Sequence, residues 1–169
     1  MKGLRLVLLA QLAFFALWAG LLIGAPRQDV GDIYLETEPV DPRDLLSGTY
    51  VALSYPIGNA RTCSGLPGSF RRGTVYVSLS DKGRRAATPS GQVVVHEADG
   101  CALEKPRSGV WARGNLAEGR GGRRVVFGIE RFFLNENDPL KDARSGSVLA
   151  QVRPDRYGGL RLNALVRKD

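Results

Sequence analysis

Val148-Leu149-Ala150-Gln151-Val152-Arg153-Pro154-Asp155-Arg156-Tyr157-Gly158-Gly159-Leu160-Arg161-Leu162-Asn163-Ala164-Leu165-Val166 reads as two short strands around a turn. The flanks, 148–152 and 160–166, are dominated by Val, Leu and Ala, and between them lie a Pro-Asp pair and a Gly-Gly pair. Those pairs adopt turn conformations that most residues resist. The same grammar extends back along the chain to residue 29: short alternating segments rich in β-branched and aromatic residues, separated by clusters of Gly, Pro, Asp and Ser. It predicts strands at 33–38, 50–57, 74–80, 93–98, 110–115, 125–134, 148–152 and 160–166. Helical periodicity is confined to single turns, at 41–46 and 139–144. The expected class is mainly β, an antiparallel barrel or sandwich of about eight strands. Parallel α/β folds are disfavoured because no crossover helices are available.

The N-terminal end reads differently. Residues 6–23 carry no charge, and only Gln11 interrupts a run of Leu, Val, Ala, Phe, Trp, Gly and Ile. As a helix this run reaches roughly 27 Å, close to the hydrocarbon thickness of a bilayer. It predicts one N-terminal transmembrane helix, a signal-anchor over residues 1–25. Lys2 and Arg5 precede it and no acid appears before Asp29, so the positive-inside rule keeps the N-terminus in the cytoplasm and sends the rest outward. The competing reading is a cleaved secretory signal, but such signals have shorter apolar cores, and Gly24-Ala25 followed by Pro26 is a poor cleavage site. Either reading exports residues 26–169, which are enough for one β-rich domain with its own core. The expected location is a bacterial cytoplasmic membrane, single-pass, with the C-terminal domain in the periplasm or outside.

Export also bears on the two cysteines, Cys63 and Cys101: a disulfide between them is plausible in an oxidising compartment, and two buried thiols are the alternative. With His96 the only histidine, a zinc site built of Cys and His is excluded, and no metal or cofactor is expected. The net charge of +7 invites a nucleic-acid reading, which the arrangement does not support. The basic residues fall in doublets such as Arg71-Arg72, Arg84-Arg85 and Arg123-Arg124, in Gly-rich surroundings without interleaved aromatic platforms. A solvated surface is the first expectation, and attraction to anionic lipid headgroups beside the anchor the second.

One segment carries a recognisable pattern: Pro39-Val40-Asp41-Pro42-Arg43-Asp44-Leu45-Leu46-Ser47-Gly48-Thr49-Tyr50-Val51-Ala52-Leu53-Ser54-Tyr55. It resembles the motif of the GDYXXLXY family, with Gly48, Tyr50, Leu53 and Tyr55 on the motif and Thr49 in the place of its Asp. A later stretch, Phe127-Gly128-Ile129-Glu130-Arg131-Phe132-Phe133-Leu134-Asn135-Glu136, is similar to that family's Gly-Ile-Glu and aromatic segment. The resemblance implies a bacterial membrane-anchored protein and names no activity. Thr49 removes any role that needed the Asp carboxylate.

Read physically, a strand from Tyr50 to Tyr55 puts Val51, Leu53 and Tyr55 on one face, which is expected to be core, and leaves Tyr50 as a cross-strand aromatic partner. Gly48 before it suits a turn. Glu130 and Arg131 fall on opposite faces of an aromatic strand. Either Glu130 points to solvent while the Arg131 stem covers apolar surface, or Glu130 pairs with an arginine such as Arg43. The motif and binding candidates are therefore Arg43, Asp44, Gly48, Tyr50, Leu53, Tyr55, Glu130, Arg131 and Glu136.

No residue is assigned a catalytic role. A Ser-His-Asp arrangement could use only His96, which lies in Val93-Val94-Val95-His96-Glu97 and reads as a surface strand residue. No Gly-x-Ser-x-Gly elbow, phosphate loop or dinucleotide fingerprint occurs. The opening also resembles that of type I signal peptidases, but no serine lies between Asp32 and Leu46, and Lys82 and Lys105 sit in turn-like surroundings. The expectation is a non-enzymatic binding or accessory module for an integral membrane protein or envelope component. The alternative is an envelope hydrolase using carboxylates near the strand from Gly48 to Tyr55, with at least two of Asp41, Asp44, Tyr50, Glu130 and Glu136 in one concave pocket.

Overall fold

The computed structural model describes residues 2–24, 30–38, 50–119, 122–133, 140 and 146–169. The chain opens with helix α1, Lys2–Gly24, built from strong helix formers without an interior proline. Its described side chains, Arg5 and residues 7–20, are all exposed, among them Leu12, Phe14, Leu17 and Trp18. Among the described residues no helix is long and apolar enough to cross a membrane; the described side chains of α1 stop at residue 20, and a span takes about 20 residues.

Nine strands follow among the described residues: β1 Ile33–Glu36, β2 Tyr50–Ala52, β3 Gly73–Thr88, β4 Gly91–Ala102, β5 Val110–Gly119, β6 Gly122–Val126, β7 Arg131–Phe133, β8 Val148–Pro154 and β9 Leu160–Arg167. Seven form one sheet in the order β6-β5-β3-β4-β1-β8-β9, and β2 and β7 form a separate two-stranded ribbon. The large sheet is curled into a half-barrel. This corrects the expected antiparallel barrel or sandwich of about eight strands in two respects. The sheet does not close, and it is mixed, because β1 runs parallel to β4 with Tyr34 level with Val95. The parallel pair forms without a crossover helix because β2, two short 3₁₀ turns and β3 lie between the partners. That length of chain is sufficient to bring β4 back in the direction of β1.

Local chemistry accounts for the strand boundaries that differ from expectation. The predicted strand 50–57 stops at Ala52, and a 3₁₀ turn takes over at Pro56–Gly58, where proline has no N–H to give a ladder. The predicted strand 125–134 is broken into β6 and β7, because Gly128 takes φ +86° and turns the chain between them. Conversely, β3 continues past its predicted end at Ser80. A bulge lets Asp81 pair with His96 and Arg85 with Val94, so three residues of β3 stand against the single residue Val95. The helical turn expected at 41–46 lies outside the described residues, as does that at 139–144 except for residue 140.

The core lies on one face of the sheet. Ile33 and Leu35 of β1, Val75, Val77 and Leu79 of β3, Ala112 and Leu116 of β5, and Val148, Ala150 and Val152 of β8 are buried there. The segment from Val51 to Ile57 covers them, contributing Val51, Leu53, Tyr55 and Ile57 to the same cluster. Each Val, Leu or Ile side chain among them contributes about 1.5–3 kcal/mol through burial. The motif segment is thus the lid of the core as well as a candidate site. Cys63 and Cys101 are joined by a disulfide, with Cα atoms 4.8 Å apart, which ties the second 3₁₀ turn, Ala60–Cys63, to β4.

Candidate functional site

Val51, Leu53 and Tyr55 are all buried, the face expected to be core, although β2 ends at Ala52, and Ser54 between them is buried as well. β2 pairs antiparallel with β7, setting Tyr50 opposite Phe133, Val51 opposite Phe132 and Ala52 opposite Arg131. Tyr50 therefore stands in register with an aromatic residue, and Phe133 is 74% exposed. Beyond the ladder, the Leu53 N–H donates to the Glu130 carbonyl oxygen at 2.8 Å. The Tyr55 hydroxyl donates to the Ile129 carbonyl oxygen at 2.9 Å, in a buried position. Burial, and then the Glu130 carboxylate, hold the Tyr55 phenol well above its ordinary pKa, so it stays a neutral donor.

Glu130 does not reach an arginine through any contact described. Its two carboxylate oxygens accept the backbone N–H groups of Phe127 at 2.6 Å and Gly128 at 2.8 Å. The carboxylate holds the Gly128 turn that separates β6 from β7. Arg131 is exposed on β7. Arg43, Asp44, Gly48 and Glu136 lie outside the described residues, and with them the proposed pairing of Arg43 with Glu130.

The arginine that does meet a carboxylate beside the motif strand is Arg124 of β6. Its Nη2 donates to Glu38 Oε2 at 2.5 Å and to the Tyr55 carbonyl oxygen at 3.2 Å. Glu38 also accepts from Asn59 Nδ2 at 2.9 Å and from Ser54 Oγ at 3.3 Å. Burial raises the Glu38 pKa, but the hydrogen bonds from Asn59 and Arg124, the Arg124 charge and Ser54 outweigh it, and the net shift is downward. This network clamps the motif strand to β6. Sequence reading missed it because Glu38, Asn59 and Arg124 sit in three unrelated segments, with no spacing to betray them.

On the far side of the motif segment the structure opens a cleft of about 230 Å³, lined by Glu36, Pro56, Ile57, Thr62, Arg84, His96, Glu97 and Ala98. Each wall has a local origin. The β3 bulge carries Arg84 to Glu36 Oε2 of β1 at 2.6 Å and to Glu97 Oε1 of β4 at 3.4 Å. Lys168 Nζ lies 2.9 Å from the other oxygen of Glu36. Pro56 and Ile57 come from the 3₁₀ turn directly after Tyr55, and Thr62 from the turn that the disulfide pins to β4. Gly58 lets the first turn seat against β6, since a Cβ there would lie 2.6 Å from the Val125 carbonyl oxygen.

His96 corrects its reading as a surface strand residue. It is half-buried, and its Nδ1 is fully buried without a hydrogen-bond partner. Buried polar atoms are normally paired, and among the described residues this nitrogen is the exception. The charges around it are balanced, two carboxylates against a guanidinium and an ammonium. The volume, about 230 Å³, falls below the roughly 300–1,000 Å³ of small-molecule pockets. The sequence signal was a sole histidine next to a glutamate on a strand, which is too common to single out.

Among the described residues no cluster of three or more His, Cys, Asp or Glu could hold a metal. A family model described as GDYXXLXY protein matches residues 27–165. No curated protein and no solved structure matches the chain.

Proposed function

The chain belongs to the GDYXXLXY family, and from that premise we propose that it is a membrane-tethered β domain that acts by binding, as an accessory to an integral membrane protein or envelope component. The observation that carries this reading is α1. Between residues 7 and 20 it is apolar on every side apart from Gln11, and all of those side chains are exposed. A helix apolar all round needs either a protein core or a bilayer around it, and these side chains are not buried in the β domain. Lys2 and Arg5 at its start favour a cytoplasmic N-terminus. The Cys63–Cys101 disulfide suits a periplasmic or external β domain.

The cleft beside the motif segment is the binding site in this reading, because its size and balanced charge suit a partner's side chain. The carboxylates Glu38 and Glu130 already accept two or more hydrogen bonds each from the fold. That commitment favours scaffolding over hydrolysis for both. Photocrosslinking of the full chain in native membranes, from a probe placed at Thr62, is expected to capture one polytopic partner and to lose it in His96→Ala and Arg84→Ala. Turnover of peptides, sugars or esters by the purified protein, abolished by Glu130→Gln, would overturn the reading in favour of an envelope hydrolase.

A further inference from the structure

β1 and β8 run antiparallel, with Ile33 opposite Val152. β8 therefore continues past the first residue of β1, toward the side from which the chain arrives, through Arg153 and Pro154 into the turn before β9. At about 3.3 Å per residue, the tip of this hairpin lies on the order of 10 Å beyond Ile33. α1 ends at Gly24 and β1 begins at Ile33, so residues 25–32 join them and span at most roughly 28 Å. Asp32, the last of these, is fastened to the hairpin. It accepts from Arg153 Nε at 2.6 Å, Gln151 Nε2 at 2.7 Å and Asn163 Nδ2 at 3.3 Å.

The tip has an unusual composition for a hairpin. Arg153 and Arg161 stand directly opposite each other on the ladder, a placement that like charges disfavour. Asp32 offsets Arg153, whereas Arg161 is exposed and makes no ion pair among the described residues. The Arg156 guanidinium sits 4.7 Å from the ring centroid of Tyr157, which is 56% exposed. Arg113 of β5 is exposed beside the tip, its backbone N–H donating to the Gly158 carbonyl oxygen at 2.7 Å. The one acid of the turn, Asp155, is occupied by the N–H groups of Tyr157 at 2.7 Å and Gly159 at 2.8 Å. The turn is also held in place: Gly158 packs so closely on Trp111 that a Cβ there would fall 2.0 Å from its ring.

We propose that this hairpin tip docks onto the anionic phospholipid headgroups of the bilayer that holds α1. The proposal rests on the reading of α1 as a membrane anchor. Guanidinium forks recognise phosphate by paired hydrogen bonds, and a tyrosine with an apolar ring and a polar end belongs at headgroup depth. Ordering costs little, because the turn is already set by Asp155 and Trp111. Docking here holds the domain in one orientation and leaves the cleft at Glu36, Arg84 and His96 free for a partner.

The test uses the full chain in nanodiscs of phosphatidylcholine, with or without phosphatidylglycerol. Two photoreactive lipids serve as probes, one with the reactive group in the headgroup and one in the acyl chain, and adducts are mapped by mass spectrometry. The expected result is acyl-chain labelling of α1 in both discs, with headgroup labelling of residues 153–161 only when phosphatidylglycerol is present. In Arg156→Gln/Arg161→Gln, headgroup labelling should fall by at least about fivefold, the loss expected for a single arginine near an anionic surface. Retained circular dichroism would confirm that the variant is folded. Labelled α1 with an unlabelled or unaltered hairpin tip overturns the docking and leaves the anchor standing. Unlabelled α1 overturns the anchor, and the docking with it.

Discussion

The Tyr55 hydroxyl and the Glu130 carboxylate do neighbouring jobs: one fastens the motif strand to Ile129, the other holds the Gly128 turn that places Ile129. Tyr55→Phe removes the hydroxyl that donates to the Ile129 carbonyl oxygen in a buried position while keeping the ring. A loss of roughly 1–2 kcal/mol of unfolding free energy is expected, read from urea titration. The Glu38 network makes a statement about pH. Its carboxyl lies below the ordinary value of 4.5 in the folded state, so its contribution to stability is present above that ordinary value and lost as pH falls through the folded one. Stability measured from roughly pH 5 to pH 2 should therefore fall less steeply in Glu38→Gln than in the unaltered protein. A parallel slope for the two proteins would show that the Arg124 and Asn59 contacts do not favour the ionised form in solution.

At the scale of elements, the segment from Val51 to Cys63 matters most. It closes the core with Val51, Leu53, Tyr55 and Ile57, then builds one wall of the cleft with Pro56, Ile57 and Thr62. Its far end is fastened by the disulfide to β4, across 38 residues of sequence. By the chain-entropy model, closing a loop of that length contributes about 3–4 kcal/mol. Cys63→Ala/Cys101→Ala is expected to lose about that much stability in urea titration, and to lose crosslinking at Thr62 at concentrations where the fold persists. The β3 bulge is the second such device. It changes the pairing between Asp81 and Arg85 and so brings Arg84 against Glu36 and Glu97, which a regular ladder would not do.

For the whole molecule, the open half-barrel leaves β6 and β9 as the two end strands of the sheet. The Asn59–Arg124 bridge lies against β6, so that end is partly covered by the same segment that walls the cleft. The hairpin of β8 and β9 projects past the start of β1 and carries its arginines toward the side from which the chain enters. Alkaline carbonate washing of membranes should leave the full chain in the pellet, and removal of residues 2–24 should release it to the supernatant. Release of the full chain by carbonate would contradict the anchor. Retention of the shortened chain that is lost in high salt would point to the hairpin tip.

The β class, the core face Val51-Leu53-Tyr55 and the hairpin from Val148 to Val166 were legible in the sequence, because alternation and turn chemistry are local properties of the chain. The breaks at Pro56 and Gly128 were written there as well, though masked by the apolar residues around them. What only the tertiary structure decided is long-range: the parallel pairing of β1 with β4, the open half-barrel, the meeting of Glu38 with Asn59 and Arg124, and the burial of His96 Nδ1 in a cleft walled by four separate segments. Such contacts depend on how distant strands register and curl, and a two-residue period records which face a side chain takes but not which strand lies beside it.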